Sequence, residues 1–227
     1  MVTVVSDKPV VLQGDNIMKV NEIFLSIQGE SMTSGFPTIF VRFTGCNLRC
    51  SYCDTAYAYE NGEEMTVHEV LEKIRRLSYK RVCLTGGEPL LQPEIESLLD
   101  LLPDHNVSIE TNGSIDLKNV NIKSNNHCFV MDVKTPSSGC SDQMFFDNFD
   151  ILGDRDEIKF VIGDSRDYEW SKEIIMKRYI KGIITFSPVF GKMDYKYLIK
   201  RILEDRLDVR FQLQLHKIIW GPYKTGV

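Results

Sequence analysis

Three cysteines, Cys46, Cys50 and Cys53, fall within eight residues in the spacing C-x3-C-x2-C. Thiolates are soft ligands, and three of them in one short loop can converge on a single metal centre. Structural zinc sites and conventional iron–sulfur clusters both take four protein ligands, but the nearest further candidates are His68 and Cys83. The spacing therefore favours an iron–sulfur cluster with one open iron, at which a small molecule can bind. A zinc site and a loop without metal remain as alternatives.

The turn Thr85-Gly-Gly-Glu-Pro89 follows the next strand-like run. On its own it could be a plain tight turn, but together with the cysteine spacing it resembles the radical S-adenosylmethionine (SAM) enzymes. The resemblance implies a 4Fe-4S cluster on the three cysteines, with SAM on the fourth iron and a 5′-deoxyadenosyl radical as the reactive species. It also implies SAM contacts at Tyr52, Asp54, Gly86, Gly87, Glu88, Ser137 and Ser138. The two serines could instead belong to a simple turn.

The narrower resemblance is to the 7-carboxy-7-deazaguanine synthase family of queuosine and deazapurine biosynthesis. It covers most of residues 18–217 and rests on the segments Phe24–Glu30, Phe40–Leu48, Cys53–Thr55, Thr85–Pro89, Asp132–Lys134 with Pro136–Gly139, and Gln214–Lys217. The implied activity is that of a carbon–nitrogen lyase, which converts 6-carboxy-5,6,7,8-tetrahydropterin to 7-carboxy-7-deazaguanine and releases ammonia. Two alternatives stay open. An activase for a glycyl-radical enzyme would bind a polypeptide rather than a pterin, and a small electron-transfer or zinc protein would not bind SAM.

The same resemblance implies substrate contacts at Ile27, Gln28, Gly29, Glu30, Arg42, Thr85 and His216. A carboxylate such as Glu30 can accept two hydrogen bonds from a guanidine-like edge, and an arginine such as Arg42 can bind a carboxylate in a fork. Without the motif, Glu30 would be a solvated loop residue, Arg42 a paired arginine at a strand end, and His216 a structural residue at the end of a strand. The resemblance also implies magnesium at Thr55, and Mg²⁺ takes few protein ligands and keeps its water.

Other polar and cysteine residues are open to more than one interpretation. Glu110-Thr-Asn-Gly113 resembles a motif of the wider superfamily but could be only a turn. Lys134 and Lys159 could neutralise carboxylates at strand ends or could be solvated. Cys83 and Cys128 lie in apolar stretches, so we expect them in the core as small buried residues.

The elements that must position these residues alternate between strands and helices. The pattern predicts strands at 20–27, 38–43, 81–84, 107–110, 129–133, 157–162, 182–186 and 209–215, and helices at 66–77, 93–102, 168–177 and 195–204. Thr66 and Glu69 form a capping box at the first helix. Such alternation is typical of a mostly parallel α/β sheet, which binds ligands at the carboxyl ends of its strands. Because a full eight-stranded barrel takes about 250 residues, we predict an incomplete TIM-like barrel of the radical SAM type. It would form a single domain over residues 18–227, after a leader or extension at 1–17.

Composition and charge narrow the functional classes further. The net charge of −5 and the isoelectric point of about 5.5 argue against bulk electrostatic binding to nucleic acid. No apolar run reaches the roughly 18 residues of a membrane span, and the N-terminal segment lacks the core of a secretory signal, so we expect a cytoplasmic enzyme without a membrane partner. The resemblance adds an external electron donor of the flavodoxin or ferredoxin type and a homodimer. Residues 220–227 could be a tail or could close the pocket.

Overall fold

A computed structural model describes residues 16–178 and 180–227. Its strands are β1 (Ile17–Ile27), β2 (Pro37–Phe43), β3 (Glu63–Thr66), β4 (Arg81–Gly86), β5 (Asn106–Thr111), β6 (His127–Val133), β7 (Glu157–Ile162), β8 (Ile183–Pro188) and β9 (Arg210–Phe211). Its helices are α1 (Val67–Leu77), α2 (Ile95–Asp100), α3 (Ser165–Lys177), α4 (Tyr195–Glu204) and α5 (Leu215–Trp220). The predicted leader lies outside the described residues except for its last two positions, of which Ile17 opens β1.

All nine of these strands form one sheet in the order β3-β1-β2-β4-β5-β6-β7-β8-β9. The strand β1 runs antiparallel to both of its neighbours, and the pairs from β2–β4 to β8–β9 are parallel. Within the part of the chain that the structure describes, β3 and β9 each pair with a single strand. The sheet is therefore an incomplete barrel, as predicted.

The sheet curls until its C-terminal edge meets the loop that follows β1. Gln212 Nε2 donates a hydrogen bond to the carbonyl of Ser31 at 3.0 Å, and Arg210 at the edge strand donates to the same carbonyl. Glu157, the first residue of β7, accepts a hydrogen bond from the backbone of Met32 at 2.7 Å. These contacts bring the loop after β1 across the open side of the barrel.

The first helix shows how local sequence fixes an element. Thr66 Oγ1 accepts from the backbone N–H of Glu69 at 3.2 Å, and the Glu69 carboxylate accepts from the backbone N–H of Thr66 at 2.8 Å, so the predicted capping box is confirmed. The apolar face of α1 buries Val70, Leu71 and Ile74 against the sheet. Burial of such side chains contributes about 1.5–3 kcal/mol each.

The predicted C-terminal strand is wrong beyond Phe211. The alternating residues 209–215 fit a strand, but Leu215 begins helix α5 and donates its backbone N–H to the carbonyl of Gly29 at 3.0 Å. A contact made across 186 positions of the chain, from Gly29 to Leu215, overrides the local period-two pattern. His216 accordingly lies in a helix rather than at the end of a strand. Two smaller differences are the unpredicted β3 and a shorter second helix.

Candidate active site

A cavity of about 630 Å³ opens at the carboxyl ends of the parallel strands. Its walls come from the ends of β2 and β4–β7, from the cysteine loop, from the loops after β1 and β8, and from α5 with residues 222–227. Residues 222–227 border this cavity, while Tyr223 within the segment is 94% exposed. No helix in the described chain has the length and apolar character needed to cross a bilayer.

The cysteine loop forms one side of this cavity. Cys46, Cys50 and Cys53 all line it, and each side chain is partly exposed. Hydrogen bonds hold the loop in place: Gly45 N–H donates to the Ala58 carbonyl at 2.9 Å, and Cys53 N–H donates to the Cys50 carbonyl at 3.2 Å. The loop thus presents its three thiols to the space where the strands end.

The donor set fits a cluster better than a single metal ion. Over residues 16–178 and 180–227, no three His, Cys, Asp or Glu side chains converge closely enough to hold one ion. A mononuclear zinc site requires such convergence, so the zinc alternative loses support. The thiolate ligands of an iron–sulfur cluster bind different irons, and all three cysteines line the same cavity.

The Gly86-Gly87 turn packs directly on the start of the cysteine loop. Gly86 has a φ of +128°, and a Cβ built there would lie 2.3 Å from the Phe43 carbonyl oxygen. A Cβ on Gly87 would lie 1.9 Å from the Gly45 carbonyl oxygen. Any larger residue would push the cysteine loop away, so glycine is needed here for close backbone approach. Both glycines border the cavity, as the predicted SAM contacts require.

Three predicted SAM contacts do not line the cavity. Glu88 is fully buried and accepts hydrogen bonds from the backbone of Leu90 and Asn112 and from the Thr111 hydroxyl. Burial raises the pKa of Glu88 to about 7, and these donors oppose the rise. The Glu88 side chain therefore joins two loops behind the cavity wall. Its place in the motif did not indicate which way the side chain points.

The predicted serines Ser137 and Ser138 have their side chains engaged in their own surroundings. Ser137 Oγ donates to Asp167, and Ser138 Oγ donates to the Thr135 carbonyl at 2.6 Å. Their carbonyls accept hydrogen bonds from the hydroxyl and backbone N–H of Ser51, at 2.7 and 2.9 Å. The two serines thus support the cysteine loop from behind instead of facing the cavity.

A row of buried charges lines the floor of the cavity. Lys159 Nζ lies 2.8 Å from Glu30 Oε2 and 3.9 Å from Asp132 Oδ2, and Lys134 Nζ lies 2.7 Å from the same Asp132 oxygen. Burial alone would raise the pKa of Glu30, but the charges of Lys159 and His216 and hydrogen bonds to its carboxylate lower it to about 2. Both lysines neutralise carboxylates at strand ends, which was one of their two possible roles.

Glu110 is a cavity residue whose segment the sequence left open between a superfamily motif and a turn. Its carboxylate accepts from Gln28 Nε2 at 3.2 Å and from Thr85 Oγ1 at 2.9 Å. It is the last residue but one of β5, at the level where Gln28 and Thr85 reach the cavity, and all three line it. The signal that could have found Glu110 is its position at the carboxyl end of a parallel strand, which is where such folds bind ligands.

Arg42 lines the cavity, and part of its guanidinium has no hydrogen-bond partner among the described residues. Its Nε donates to Glu22 Oε1 at 2.8 Å, and Tyr57 donates its hydroxyl to the same oxygen at 2.8 Å. No residue among those described forms a hydrogen bond or ion pair with the Nη atoms of Arg42. The rings of Phe24 and Phe40 stack nearby with centroids 5.0 Å apart, so the rim combines a flat apolar surface with a fork of free donors.

Asp54 and Thr55 link the cysteine loop to helix α5. Lys217 Nζ lies 2.5 Å from Asp54 Oδ2, and Thr55 Oγ1 donates to Asp54 Oδ1 at 3.0 Å. Burial would raise the pKa of Asp54, but Lys217 holds it well below the usual range. Tyr52 lies between two of the cysteines, and its hydroxyl is 3.3 Å from Thr135 Oγ1. Tyr52, Asp54 and Thr55 all line the cavity.

His216 packs against the loop after β1. A Cβ on Gly29 would lie 2.2 Å from His216 Nδ1, so the imidazole occupies the space that only glycine leaves free. Ile27, Gln28, Gly29, Glu30, Arg42, Thr85 and His216, the predicted substrate contacts, all line the one cavity. The structure brings together segments that are up to 189 positions apart, from Ile27 to His216.

Further cavity residues had no assignment from sequence. They include Val189, Phe190 and Lys192 in the loop after β8, and Gln214, which donates to Glu30 Oε1 at 2.7 Å. Cys140 is buried in the loop after β6. Burial raises the pKa of the Cys50 thiol to about 12. The positive charge of Lys134 opposes this rise, and the neighbouring Cys140 adds to it.

Comparisons with known proteins agree with this geometry. A family model described as the radical SAM superfamily matches residues 40–138. The chain is 43% identical to a 7-carboxy-7-deazaguanine synthase of Clostridium acetobutylicum over an alignment of 218 positions, which covers 92% of this chain and 99% of the relative. It is 41% identical to the synthase of that name from Chlorobaculum tepidum, over 92% of this chain and 97% of the relative.

Two solved structures share the fold. The crystal structure of QueE from Escherichia coli superposes with a TM-score of 0.72 at 22% identity, over 89% of this chain and 99% of that chain. Streptococcus suis SuiB, bound to its precursor peptide SuiA, gives a TM-score of 0.55 at 17% identity, over 74% of this chain and 46% of that chain. The incomplete barrel is therefore an architecture that known proteins share.

Proposed function

The chain belongs to the 7-carboxy-7-deazaguanine synthase family of radical SAM enzymes, and we propose that it converts 6-carboxy-5,6,7,8-tetrahydropterin to 7-carboxy-7-deazaguanine with release of ammonia. One observation carries this assignment. The three-cysteine loop and a polar wall of Gln28, Glu30, Arg42 and Glu110 face the same cavity. A cluster and SAM held by the first would stand in the same space as a substrate held by the second.

The radical SAM family implies a 4Fe-4S cluster and SAM. When bound, this pair would supply hydrogen-atom abstraction, because one electron from the cluster would cleave SAM to methionine and a 5′-deoxyadenosyl radical. Cys46, Cys50 and Cys53 would hold three irons. The backbone of Gly86 and Gly87 borders the cavity next to that loop, which supports their role at the amino acid end of SAM, and Tyr52 and Asp54 complete the proposed SAM contacts.

The substrate would be held at both of its polar ends. The free Nη atoms of Arg42 suit the substrate carboxylate, because a guanidinium binds a carboxylate in a planar fork. The side chains of Glu30 and Glu110 offer acceptor oxygens suited to the guanidine-like edge of the pterin, with Gln28, Thr85 and the backbone of Ile27 and Gly29 beside them. His216 packs on Gly29 and closes this end of the cavity.

Magnesium at Thr55 is part of the proposal. The Thr55 hydroxyl donates its proton to Asp54 Oδ1 in a hydrogen bond, so the lone pairs of Thr55 Oγ1 stay free to bind a cation. Lys217 occupies the other Asp54 oxygen, so Thr55 rather than Asp54 is the free oxygen ligand. A hydroxyl, the substrate carboxylate and waters make a coordination shell of the kind that Mg²⁺ accepts. An external electron donor of the flavodoxin or ferredoxin type, a homodimer and a cytoplasmic location remain predictions from the resemblance.

Anaerobic turnover tests the proposed function directly. The reconstituted protein is incubated with SAM, a reductant, Mg²⁺ and 6-carboxy-5,6,7,8-tetrahydropterin, and the products are identified by mass spectrometry. We expect 7-carboxy-7-deazaguanine in the wild type and none in Cys46→Ala. Formation of 5′-deoxyadenosine without that product would leave the radical SAM chemistry standing but overturn the substrate, and would make the activase reaction the next to test.

A further inference from the structure

Asn112 is a buried amide behind the cysteine loop that the proposed reaction does not use. It directly follows β5, and only 6% of the residue is exposed. Its Oδ1 accepts from the backbone N–H of Ser114 at 3.0 Å and from the Ser114 hydroxyl at 2.7 Å. Because a backbone N–H can only donate, these bonds fix the amide orientation and turn Nδ2 toward the cysteine loop.

The Nδ2 group of Asn112 points at a cluster ligand. It lies 3.7 Å from Cys46 Sγ and 2.9 Å from Asn47 Oδ1, so its two hydrogens serve one acceptor each. Cys46 Sγ also accepts from the backbone N–H of Leu48 at 3.4 Å. The sulfur therefore receives a side-chain donor in addition to the backbone donor of its own turn.

The position of this donor is fixed by the Gly-Gly-Glu turn. Asn112 N–H donates to Glu88 Oε2 at 2.6 Å, and Glu88 N–H donates to the carbonyl of Gly45, next to Cys46, at 2.8 Å. Glu88 thus ties the asparagine and the cysteine loop into one rigid unit. This role explains why Glu88 is buried at this position, although its side chain does not reach the cavity.

We propose that Asn112 donates an N–H···S hydrogen bond to Cys46 when that cysteine binds the cluster, and that this bond raises the reduction potential of the cluster. Hydrogen bonds to ligand sulfurs stabilise the more negative, reduced state and are one of the factors that set such potentials. Asn112 is in this sense a positioning residue that acts through Cys46. The inference rests on the proposed function, because it presupposes the cluster.

The test is a redox titration of the reconstituted holoenzyme, followed by EPR of the reduced cluster. Asn112→Ala should favour the oxidised cluster about tenfold more than the wild type, which is a shift of about 59 mV to lower potential for a one-electron couple. Ser114→Ala is the matched control, since it keeps the backbone donor that orients the amide and should leave the potential unchanged. If the cluster of Asn112→Ala has the wild-type potential, the inference is overturned. Turnover by the wild-type enzyme would then show that the proposed function still holds.

A second measurement leaves Asn112 unchanged and so does not depend on the variant holding its cluster. Wild-type protein carrying ¹⁵N in its asparagine side-chain amides is reduced and studied by pulsed EPR. We expect a weak coupling from one amide nitrogen, and Asn47→Ala should keep it because that change leaves Asn112 beside Cys46. A reduced wild-type cluster without such a coupling would overturn the inference. A wild-type chain that bound no cluster would overturn the proposed function as well.

Discussion

Lys159 Nζ lies 2.8 Å from Glu30 Oε2, although 129 positions of the chain separate the two residues. The lysine comes from the middle of β7 and the glutamate from the loop after β1, so the ion pair spans the interior of the incomplete barrel. Both side chains are largely buried, with 11% and 15% exposed. The pair holds the substrate wall and the sheet in one arrangement, and its loss should affect both stability and function.

Replacing Lys159 by Met is expected to lower the free energy of unfolding by about 3 kcal/mol, because it leaves Glu30 as a buried carboxylate without its ion-pair partner. Urea unfolding of the purified proteins at neutral pH measures the difference. Lys200→Met is the matched control, since its ion pair with Glu204 is well exposed and such pairs contribute little. Equal unfolding midpoints for the two variants would show that the buried pair does not stabilise the fold.

The acid dependence of stability should carry the signature of Glu30. Its pKa is lowered to about 2 in the folded protein, below its unfolded value of about 4.3. A lowered carboxyl pKa contributes stability that is fully present above the unfolded value and is lost as the pH falls toward the folded value. We therefore expect the free energy of unfolding of the wild type to fall from about pH 4.5 to 2, by about 3 kcal/mol for this group. Glu30→Gln should show a shallower fall in the same titration, and parallel curves would contradict the assignment.

Arg42→Lys should raise the KM for the pterin carboxylate by about tenfold or more, because an ammonium cannot reproduce the planar fork of a guanidinium. SAM binding should not change, since the Arg42 side chain bonds only to Glu22 among the described residues, and Glu22 is not a proposed SAM contact. Steady-state kinetics together with equilibrium SAM binding separate the two effects. Arg81→Lys serves as the control, because Arg81 stacks on Phe36 and is not a cavity residue. A variant with unchanged KM would remove Arg42 from the substrate site.

Substitution of Cys46, Cys50 or Cys53 by Ala should abolish the cluster absorbance and all SAM cleavage, because each thiolate would hold a different iron. Cys83→Ala should keep both. Cys83 is fully buried in β4 and is one of the expected core cysteines. Iron and sulfide analysis after anaerobic reconstitution gives the result. Loss of the cluster in Cys83→Ala would mean that the ligand set has been misidentified.

The sequence predicted the candidate site best where the residues of a motif are close together in the chain. The type and spacing of Cys46, Cys50 and Cys53 indicate a metal site, and their loop lies at a strand end, as the α/β pattern predicts. The motif around Glu88 was less informative, because membership of a motif does not say which way a side chain points. In this case the carboxylate faces Asn112 and not the cavity.

Long-range partners account for the rest of what the sequence did not reveal. Lys159 sits in a strand-like apolar run, and its partner Glu30 could not be identified without the curl of the sheet. The sequence left Glu110 open between a superfamily motif and a turn, because its partner Gln28 is 82 positions away. The C-terminal alternation was assigned to a strand because nothing local indicates that Leu215 bonds to Gly29. Local periodicity fixes elements, but the pairing of buried charges depends on the tertiary arrangement.

Thr55→Ala tests magnesium at the cysteine loop. The change removes the hydroxyl oxygen but leaves the Asp54–Lys217 ion pair, which lies 2.5 Å between its charged atoms and holds the loop to α5. We expect the Mg²⁺ concentration for half-maximal turnover to rise by about tenfold, which corresponds to about 1.4 kcal/mol of lost binding, while SAM binding stays close to wild type. Thr55→Ser is the matched control, because it keeps the oxygen and should keep the Mg²⁺ dependence. If Thr55→Ala weakened SAM binding and Mg²⁺ activation equally, the hydroxyl would act by holding the loop and not by binding the metal.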